Sequence, residues 1–259
     1  MILASHGIIA SSILQVDADW LAYYNRVIAA GGTLTTTEQS ATLQLVLDLK
    51  ANSLWTPMKA IYPMVGASAA ACAQNLKSSS FTGTFTSGWT FASTGVTPNG
   101  TSAYMDTSII PSTSLTLNST HISMYSRTNS ASPSYDFNAE QTLEIASKWT
   151  DNKFYYSVNA VEISAGIQSS SAGFFNVSRT ASNSQKAYYN GTVKHTSTNS
   201  STALPLFSLI YGALNGVIKS AYSNRQTAFL SAGDGLTDTQ ASNLYTAVQA
   251  MQTTLSRNV

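Results

Sequence analysis

Two Asn-Gly pairs constrain the fold of this chain more than any other feature of its sequence. Asn99-Gly100 and Asn190-Gly191 each lie beside residues that favour extended backbone. Asn and Gly tolerate positive φ at both central positions of a type I′ turn, so each pair predicts a β-hairpin. Around both pairs, short apolar–polar alternations are separated by turns rich in Ser, Thr and Asn. The sequence therefore predicts a body of antiparallel strands.

The strand pattern starts at Phe81, where the apolar period becomes two residues. Many short strands with frequent turn residues indicate an antiparallel sandwich or barrel. Strands do not alternate with helices, which argues against a parallel α/β sheet. The clearest strands are expected at Phe81–Phe85, His121–Arg127, Leu143–Ile145, Phe154–Val158, Leu206–Tyr211, Val217–Tyr222 and Thr227–Ala232.

Helices are predicted at both ends of the strand-rich region. Asp17 or Asp19 can cap a helix that ends before Gly31-Gly32, and the Thr35–Glu38 spacing is that of a capping box for a second helix. A third helix is expected after the same spacing at Thr237–Gln240, and its apolar stripe favours packing on the protein's own sheet. We therefore expect an arm and helical attachment region over 1–80, and a sandwich with a C-terminal helix over 81–259.

Composition argues against several classes of function. Only 10% of residues are charged and the net charge is +1, so the chain lacks the basic stripe that nucleic-acid binding requires. No apolar run approaches the roughly 20 residues of a membrane span. The single cysteine, Cys72, lies among alanines and is expected to be a buried residue. His6, His121 and His195 lack metal-ligand spacing, so neither a metal nor a cofactor is expected.

Evidence for catalysis is weak. Glu140 and Glu144 are four residues apart, which on a strand places both on one face, as glycoside hydrolysis could use. No central acid lies between them, and solvated edge residues are the favoured interpretation. The segment Tyr135–Asn138 has a faint likeness to a calcium loop but lacks a second acid, so a turn is favoured. We therefore predict that the protein is not an enzyme.

Three stretches together resemble the concanavalin-A-like lectin/glucanase and laminin-G-like jelly rolls. They are the segment Asn99–Asp106 leading into His121–Arg127, the hairpin Ala187–Thr192, and Leu206–Ile210 followed by Leu236–Tyr245. The resemblance covers about residues 81 to 245. It implies a mainly β fold, an antiparallel jelly-roll β-sandwich.

The whole chain also resembles structural proteins of tailed bacteriophages, through Ala29–Thr35, Leu54–Pro63 and Gly88–Thr90. That resemblance implies a non-enzymatic component of the virion surface: a tail fibre, a tail appendage or a capsid decoration. Its partners would be other virion proteins and a host-surface glycan. The alternatives are a carbohydrate-binding module of a secreted bacterial protein and, remotely, a glycoside hydrolase.

Aromatic side chains on the outward parity of the strands are the candidate glycan-binding residues. They are Tyr125, Trp149, Tyr155 and Tyr188. Sugars stack their C–H faces on exposed rings, so such residues could form a shallow glycan site. Equally, they could line subunit contacts, where Tyr and Trp are enriched. The sequence leaves both interpretations open.

The N-terminal region has more apolar residues than one helical hairpin can cover. With the apolar arm Ile2–Ile13, the excess favours a homo-oligomer built around this region, and the phage resemblance implies a trimer. The candidate oligomerisation residues are Trp20, Tyr24, Val27, Leu45 and Leu49.

Overall fold

The computed structural model describes residues 16–259, so the predicted arm lies outside the described residues. The chain forms strands framed by helices at its two ends. The helices are α1 (Ala18–Ala29), α2 (Thr36–Ala51), α3 (Ala69–Cys72), α4 (Pro111–Ser114) and α5 (Asp238–Thr254). The strands are β1 (Met58–Tyr62), β2 (Thr84–Phe85), β3 (Trp89–Ala92), β4 (Gly95–Pro98), β5 (Met105–Asp106), β6 (Thr120–Ser126), β7 (Phe137–Ala139), β8 (Leu143–Ala146), β9 (Lys153–Val158), β10 (Ile163–Ile167), β11 (Gly173–Ala181), β12 (Ser184–Tyr189), β13 (Thr192–Ser197), β14 (Ile210–Tyr211) and β15 (Thr227–Gly233).

The strands form two antiparallel sheets that pack face to face. The larger sheet has the order β13-β12-β11-β6-β15-β4-β3, with β1 also paired to β15. The smaller sheet has the order β10-β9-β8-β7-β14-β5-β2. The predicted fold class, a mainly β antiparallel sandwich with N-terminal helices and a C-terminal helix, is confirmed.

The inner core lies between the two sheets. Met124 and Phe175 of the larger sheet and Phe137 and Phe154 of the smaller one are fully buried there. The rings of Phe154 and Phe175 meet edge to face with centroids 5.1 Å apart. Apolar burial at roughly 25 cal/mol per Å² is the main force that holds the sheets together.

A second core covers the outer face of the larger sheet. Tyr125 follows Met124 on β6, and Phe174 precedes Phe175 on β11. Because successive side chains on a strand point to opposite faces, Tyr125 and Phe174 point away from the inner core. They pack in one buried cluster with Leu45 and Leu49 of α2 and with residues of α5. The terminal helices are therefore integral parts of the sandwich structure.

The segment before residue 80 and the end of the chain are joined by direct contacts. Strand β1 pairs with β15 from Met58 to Tyr62. The buried guanidinium of Arg257 donates to the carbonyl oxygens of Met64 at 2.7 Å, Pro63 at 2.6 Å and Ala228 at 2.8 Å. The predicted domain boundary at residue 80 therefore falls between segments that share one sheet and one core.

The two Asn-Gly pairs have different outcomes. Asn190 and Gly191 have φ of 48° and 74° and connect β12 to β13, which confirms that hairpin. The prediction of a hairpin at Asn99-Gly100 is wrong, because the chain there passes from β4 in the larger sheet to β5 in the smaller one. Its loop is organised by the Asn99 side chain, whose Oδ1 accepts three successive backbone N–H groups at 3.0 Å.

The helix starts predicted from capping residues agree with the structure better than some of the predicted strands do. The Asp17 cap and the capping boxes at Thr35 and Thr237 are present, and Cys72 is buried, which raises the pKa of its thiol to about 12. Of the two strands expected between 206 and 222, only β14 forms, and the rest is loop. The four-residue helices α3 and α4 were not predicted. Within residues 16–259, no helix is both long and apolar enough to cross a lipid bilayer.

Candidate functional site

An aromatic cleft of about 230 Å³ opens on the smaller sheet, and we call it the aromatic cleft throughout. It is lined by Tyr135, Trp149, Tyr155 and Glu162. Tyr135 precedes β7, Trp149 lies in the turn from β8 to β9, Tyr155 is on β9, and Glu162 precedes β10. Because β7, β8, β9 and β10 are consecutive neighbours in this sheet, the four side chains converge at one place.

Three rings form the walls of the aromatic cleft. The centroids of Tyr135 and Trp149 are 5.3 Å apart with the ring planes at 61°, and those of Trp149 and Tyr155 are 6.4 Å apart at 77°. Such edge-to-face arrangements are favoured by the ring quadrupoles and hold the rings in place. Trp149 and Tyr155 are half-buried, so part of each ring faces solvent. The cleft therefore presents a rigid, accessible aromatic surface.

Hydrogen bonds orient the polar groups of the aromatic cleft. The Tyr135 hydroxyl donates to Oε2 of Glu162 at 3.2 Å and accepts from Nε2 of Gln141 at 2.7 Å. The Tyr155 hydroxyl donates to Oδ2 of Asp151 at 2.7 Å, and this bond lowers the pKa of the Asp151 carboxyl. The polar atoms around the rings are thus hydroxyl, amide and carboxylate groups.

A buried carboxyl group, Glu144, lies behind Glu162. Glu144 is fully buried on β8, and neither of its carboxyl oxygens accepts a hydrogen bond from an N–H or O–H group. Burial and the neighbouring Glu162 carboxyl raise the pKa of Glu144 well above its ordinary value. Two neighbouring carboxyl groups cannot both ionise cheaply, so the surroundings of Glu144 favour its protonated form.

A buried ion pair positions the segments that carry the rings. Nη1 of Arg225 lies 2.8 Å from Oδ1 of Asp136, and both side chains are fully buried. Arg225 also donates to the carbonyl oxygen of Lys148 at 2.6 Å, and Asp136 accepts the backbone N–H of Ser147 at 2.9 Å. Asp136 follows Tyr135 in the chain and Lys148 precedes Trp149, so this pair fixes both sides of the aromatic cleft.

The same ion pair accounts for the faint calcium-like motif. Asp136, the only acid of that motif, already has Arg225 as its counter-ion. In the part of the chain that the structure describes, no three His, Cys, Asp or Glu side chains cluster so as to hold a metal ion.

The structure brings together two of the four predicted glycan-binding residues, Trp149 and Tyr155. Tyr125 is fully buried and Tyr188 is nearly so. Both residues do face outward from the larger sheet, as the parity predicts, but helix α5 covers that region. The Tyr125 hydroxyl donates to Gln249 of α5 at 3.0 Å. The prediction that Tyr125 and Tyr188 are exposed platforms is therefore wrong.

Tyr188 contributes instead to a polar groove of about 350 Å³ at the start of α5. Its hydroxyl donates to Oδ1 of Asp238 at 2.8 Å, and Nζ of Lys186 lies 2.7 Å from the same carboxylate. Because these polar groups satisfy one another, the groove mainly anchors α5 to the sheet.

The predicted oligomerisation residues lie mostly inside the chain's own core. Trp20, Val27, Leu45 and Leu49 are buried against other parts of the same chain. Tyr24 is half-buried and stacks on Trp20 with centroids 5.4 Å apart. The choice of these four residues as subunit contacts is wrong, because they are buried in the core of the same chain.

The favoured interpretation of Glu140 and Glu144 as solvated edge residues is wrong for Glu144, which is fully buried, and the two side chains do not share one face of a strand. Strand β7 ends at Ala139 and β8 begins at Leu143, so Glu140 lies in the intervening turn with φ of 57°. Glu162 belongs to no recognisable sequence motif and is not among the candidate site residues predicted from the sequence. Only the neighbour order of β7 to β10 brings it beside Tyr135 and Glu144, and that order cannot be read from local spacing.

Comparisons with known proteins show the fold. No protein-family model and no curated protein sequence matches the chain significantly. A mutant of Trypanosoma rangeli sialidase that displays trans-sialidase activity aligns with a TM-score of 0.55 and 8% identity, over 81% of this chain and 39% of its own length. At this identity the likeness establishes a shared β-sandwich architecture.

Two further solved structures are similar at lower scores. Domain 4 of the arabinanase AbnA from Geobacillus stearothermophilus, in complex with arabinotriose, has a TM-score of 0.49 and 12% identity, over 72% of this chain and 97% of that domain. The binding domain of botulinum neurotoxin serotype D has a TM-score of 0.48 and 10% identity, over 75% of this chain and 52% of that domain.

Proposed function

We propose that this protein binds glycans through the aromatic cleft and does not cleave them. The observation that carries the proposal is the set of three rings held at steep angles beside hydroxyl, amide and carboxylate groups. The C–H face of a sugar stacks on an aromatic ring while its hydroxyls bond polar groups at the rim. The cleft is smaller than the roughly 300–1,000 Å³ of a drug-sized site, so we expect it to hold one or two sugar residues.

The arrangement of the carboxyl groups supports binding without hydrolysis. Glycosidases hold two carboxyl groups roughly 5–10 Å apart, with the scissile bond between them. Glu144 is fully buried and does not line the cleft, so it is not placed to act on a glycosidic bond together with Glu162. We therefore expect no turnover of a polysaccharide panel. Turnover that disappears in Glu144→Gln and Glu162→Gln variants would contradict this proposal.

We place the protein on the surface of a bacteriophage virion, as a fibre, an appendage or a capsid decoration. The support is the resemblance of Ala29–Thr35, Leu54–Pro63 and Gly88–Thr90 to phage structural proteins. Host-surface binding is then the role of the aromatic cleft. The alternative carrier is a secreted bacterial protein that uses the same cleft as a carbohydrate-binding module. Immuno-electron microscopy of virions distinguishes the two, because only the first places antibody label on the particle.

The test of glycan binding is a glycan array followed by affinity measurements on matched variants. A stacked ring contributes on the order of 1 kcal/mol or more, so Trp149→Ala should weaken binding about tenfold. Tyr155→Ala should act in the same direction. Tyr188→Phe is the control, because this residue is nearly buried and lies outside the aromatic cleft. If Trp149→Ala keeps full affinity while it remains folded, the aromatic cleft is not the site.

A further inference from the structure

The charge of the aromatic cleft is negative. Among its lining residues the one charged side chain is Glu162, and no lysine or arginine lines it. Two cations lie nearby but are engaged elsewhere. Nζ of Lys153 pairs with Asp151 at 3.1 Å, and Nζ of Lys148 donates to the carbonyl oxygen of Ser169 at 2.9 Å. A ligand in the cleft therefore meets aromatic faces and a carboxylate without a cation in the lining.

The unsatisfied state of Glu144 is a second, independent observation. Buried polar atoms almost always have a hydrogen-bond partner, and an exception indicates a missing partner or a functional role. Both oxygens of Glu144 lack a donor, and the group beside them is Glu162, which lines the aromatic cleft. What this pair of carboxyl groups lacks is a positive charge with N–H donors.

We infer that the ligand of the aromatic cleft is a glycan with free amino groups, bound through an ammonium group placed between the aromatic rings and Glu162. The inference rests on the proposed function, because it names the class of glycan that the same site takes.

Three properties of an ammonium-bearing sugar match the cleft. A cation over the face of Trp or Tyr is attracted by the ring quadrupole, most strongly when it is partly desolvated. The ammonium N–H groups can donate to the Glu162 carboxylate in charge-assisted hydrogen bonds. The C–H face of the same sugar still stacks on a neighbouring ring. An N-acetylated sugar lacks the first two interactions, and an acidic sugar is repelled by Glu162.

Binding of such a ligand is coupled to loss of a proton. In the free protein, burial and the adjacent Glu162 carboxyl favour the protonated form of Glu144, and the titratable groups facing Glu144 are Glu162 and Tyr135. When an ammonium ion enters, its positive charge favours the ionised form of Glu144. The Glu144 proton then passes to the buffer, and the ammonium group keeps all of its own protons. Binding therefore releases up to one proton for each ligand bound.

The test is titration calorimetry of the full chain with two matched probes. These are a β-1,4-linked glucosamine trisaccharide and its fully N-acetylated form, which share one backbone and differ in charge. We expect the free-amine form to bind at least tenfold more tightly at pH 6. Runs in two buffers with different ionisation enthalpies measure the released protons, which should appear with the free-amine form alone.

Variants identify the groups involved. Glu162→Gln should remove most of the preference for the free amine. Glu144→Gln cannot release a proton, so the dependence of binding enthalpy on the buffer should disappear. Glu140→Gln is the control, because its carboxylate lies in a turn and accepts the backbone N–H of Leu206, so both effects should persist.

The outcomes separate this inference from the proposed function. If both trisaccharides bind equally and Trp149→Ala weakens both, the cleft is a glycan site and the inference is overturned. The inference is also overturned if the free-amine form binds more tightly but Glu162→Gln leaves that preference intact. If neither trisaccharide binds and Trp149→Ala changes no affinity on a glycan array, the proposed function falls together with the inference.

Discussion

His121 is a histidine that the fold keeps neutral. It is fully buried on β6, with Nδ1 2.6 Å from the carbonyl oxygen of Asp234 and Nε2 3.3 Å from the hydroxyl of Ser231. Burial lowers its pKa to about 4, against an ordinary value of 6.5. In the unfolded chain this imidazole therefore binds a proton at a pH where the folded protein does not.

We predict that acid weakens the fold through His121. Above pH 6.5 His121 is neutral in both states and does not lower the free energy of unfolding. As the pH falls towards 4, the unfolded chain binds a proton that the folded protein excludes, and the free energy of unfolding decreases by on the order of 3 kcal/mol. Urea unfolding measured at steps between pH 7 and pH 4 gives this slope. His121→Asn should flatten it, whereas His195→Asn should keep it because His121 is then unchanged. An equally steep slope without His121 would assign the acid sensitivity to other groups.

Glu144 has the opposite effect on the stability of the fold. Because its pKa is raised in the folded protein, the unfolded chain releases this proton at a lower pH than the folded chain does. Glu144 does not reduce the free energy of unfolding below about pH 4.5, where it is protonated in both states, and the reduction grows as the pH rises. The buried carboxyl group is thus a destabilising feature at neutral pH, as residues at functional sites often are.

Glu144→Gln should therefore stabilise the protein. Relief of an unsatisfied buried carboxyl group is expected to add about 1–3 kcal/mol to the free energy of unfolding at pH 8, and little at pH 4.5. Denaturant titrations at the two pH values measure the difference. Glu140→Gln should bring no stabilisation, because that carboxylate already accepts a backbone N–H group. A Glu144→Gln variant that is less stable at pH 8 would show that the carboxyl group has a structural role.

At the scale of secondary structure, the loops of the smaller sheet depend on one buried ion pair. Asp136 precedes β7 directly, and Arg225 lies two residues before β15, so the pair links the two sheets beside the aromatic cleft. Removing one partner leaves the other charge buried without compensation, which costs several kcal/mol.

We predict that Asp136→Asn lowers the free energy of unfolding by about 3–5 kcal/mol and weakens glycan binding as Tyr135 and Trp149 lose their support. Thermal unfolding and affinity measurements test the two effects. Lys186→Met is the matched control, because it removes a partly solvent-exposed ion pair with Asp238 and should cost less than about 1 kcal/mol. A small loss for Asp136→Asn would mean that the loops are held by their backbone hydrogen bonds.

At the scale of the whole molecule, the terminal helices and the sandwich depend on each other. Strand β1 pairs with β15, and α2 packs against α5 over the outer face of the larger sheet. Without the first 79 residues, the buried cluster that contains Tyr125, Phe174 and Phe229 would lose the apolar side chains of α1, α2 and β1.

A chain that starts at Ser80 should therefore fail to fold cooperatively. We expect it to aggregate, or to melt without a sharp transition, under conditions where the full chain unfolds in one step. Circular dichroism melting and light scattering on both chains measure this. A soluble truncated chain with a cooperative transition would show that 81–259 is an independent domain.

Oligomerisation stays a prediction at the same scale. The apolar helix residues predict a homo-oligomer and the phage resemblance implies a trimer, but most of those apolar residues have partners within the chain. Large apolar side chains that remain exposed include Leu206, Val217 and Ile218, all in loops that precede β15. Light scattering of the full chain measures the number of subunits. A trimer that persists in a Val217→Ser/Ile218→Ser variant would place its contacts elsewhere.

Local chemistry in the sequence determined most of the elements of this protein. A capping box, an Asn-Gly hairpin or a period of two acts through near neighbours in the chain, so Thr35, Thr237 and Asn190-Gly191 could be interpreted without the fold. The parity of β6, β9 and β12 likewise separates inward from outward side chains, and it was right for Tyr125, Tyr155 and Tyr188.

Tertiary structure decided which outward side chains are accessible and which of them meet. Tyr125 and Tyr188 are covered because α5 packs on the larger sheet, whereas Tyr155 lies on the smaller sheet beside Trp149. The neighbour order of β7 to β10 added Tyr135 and Glu162 and placed Glu144 behind them. Burial and contact between distant segments depend on how sheets and helices pack, and no local pattern encodes that packing.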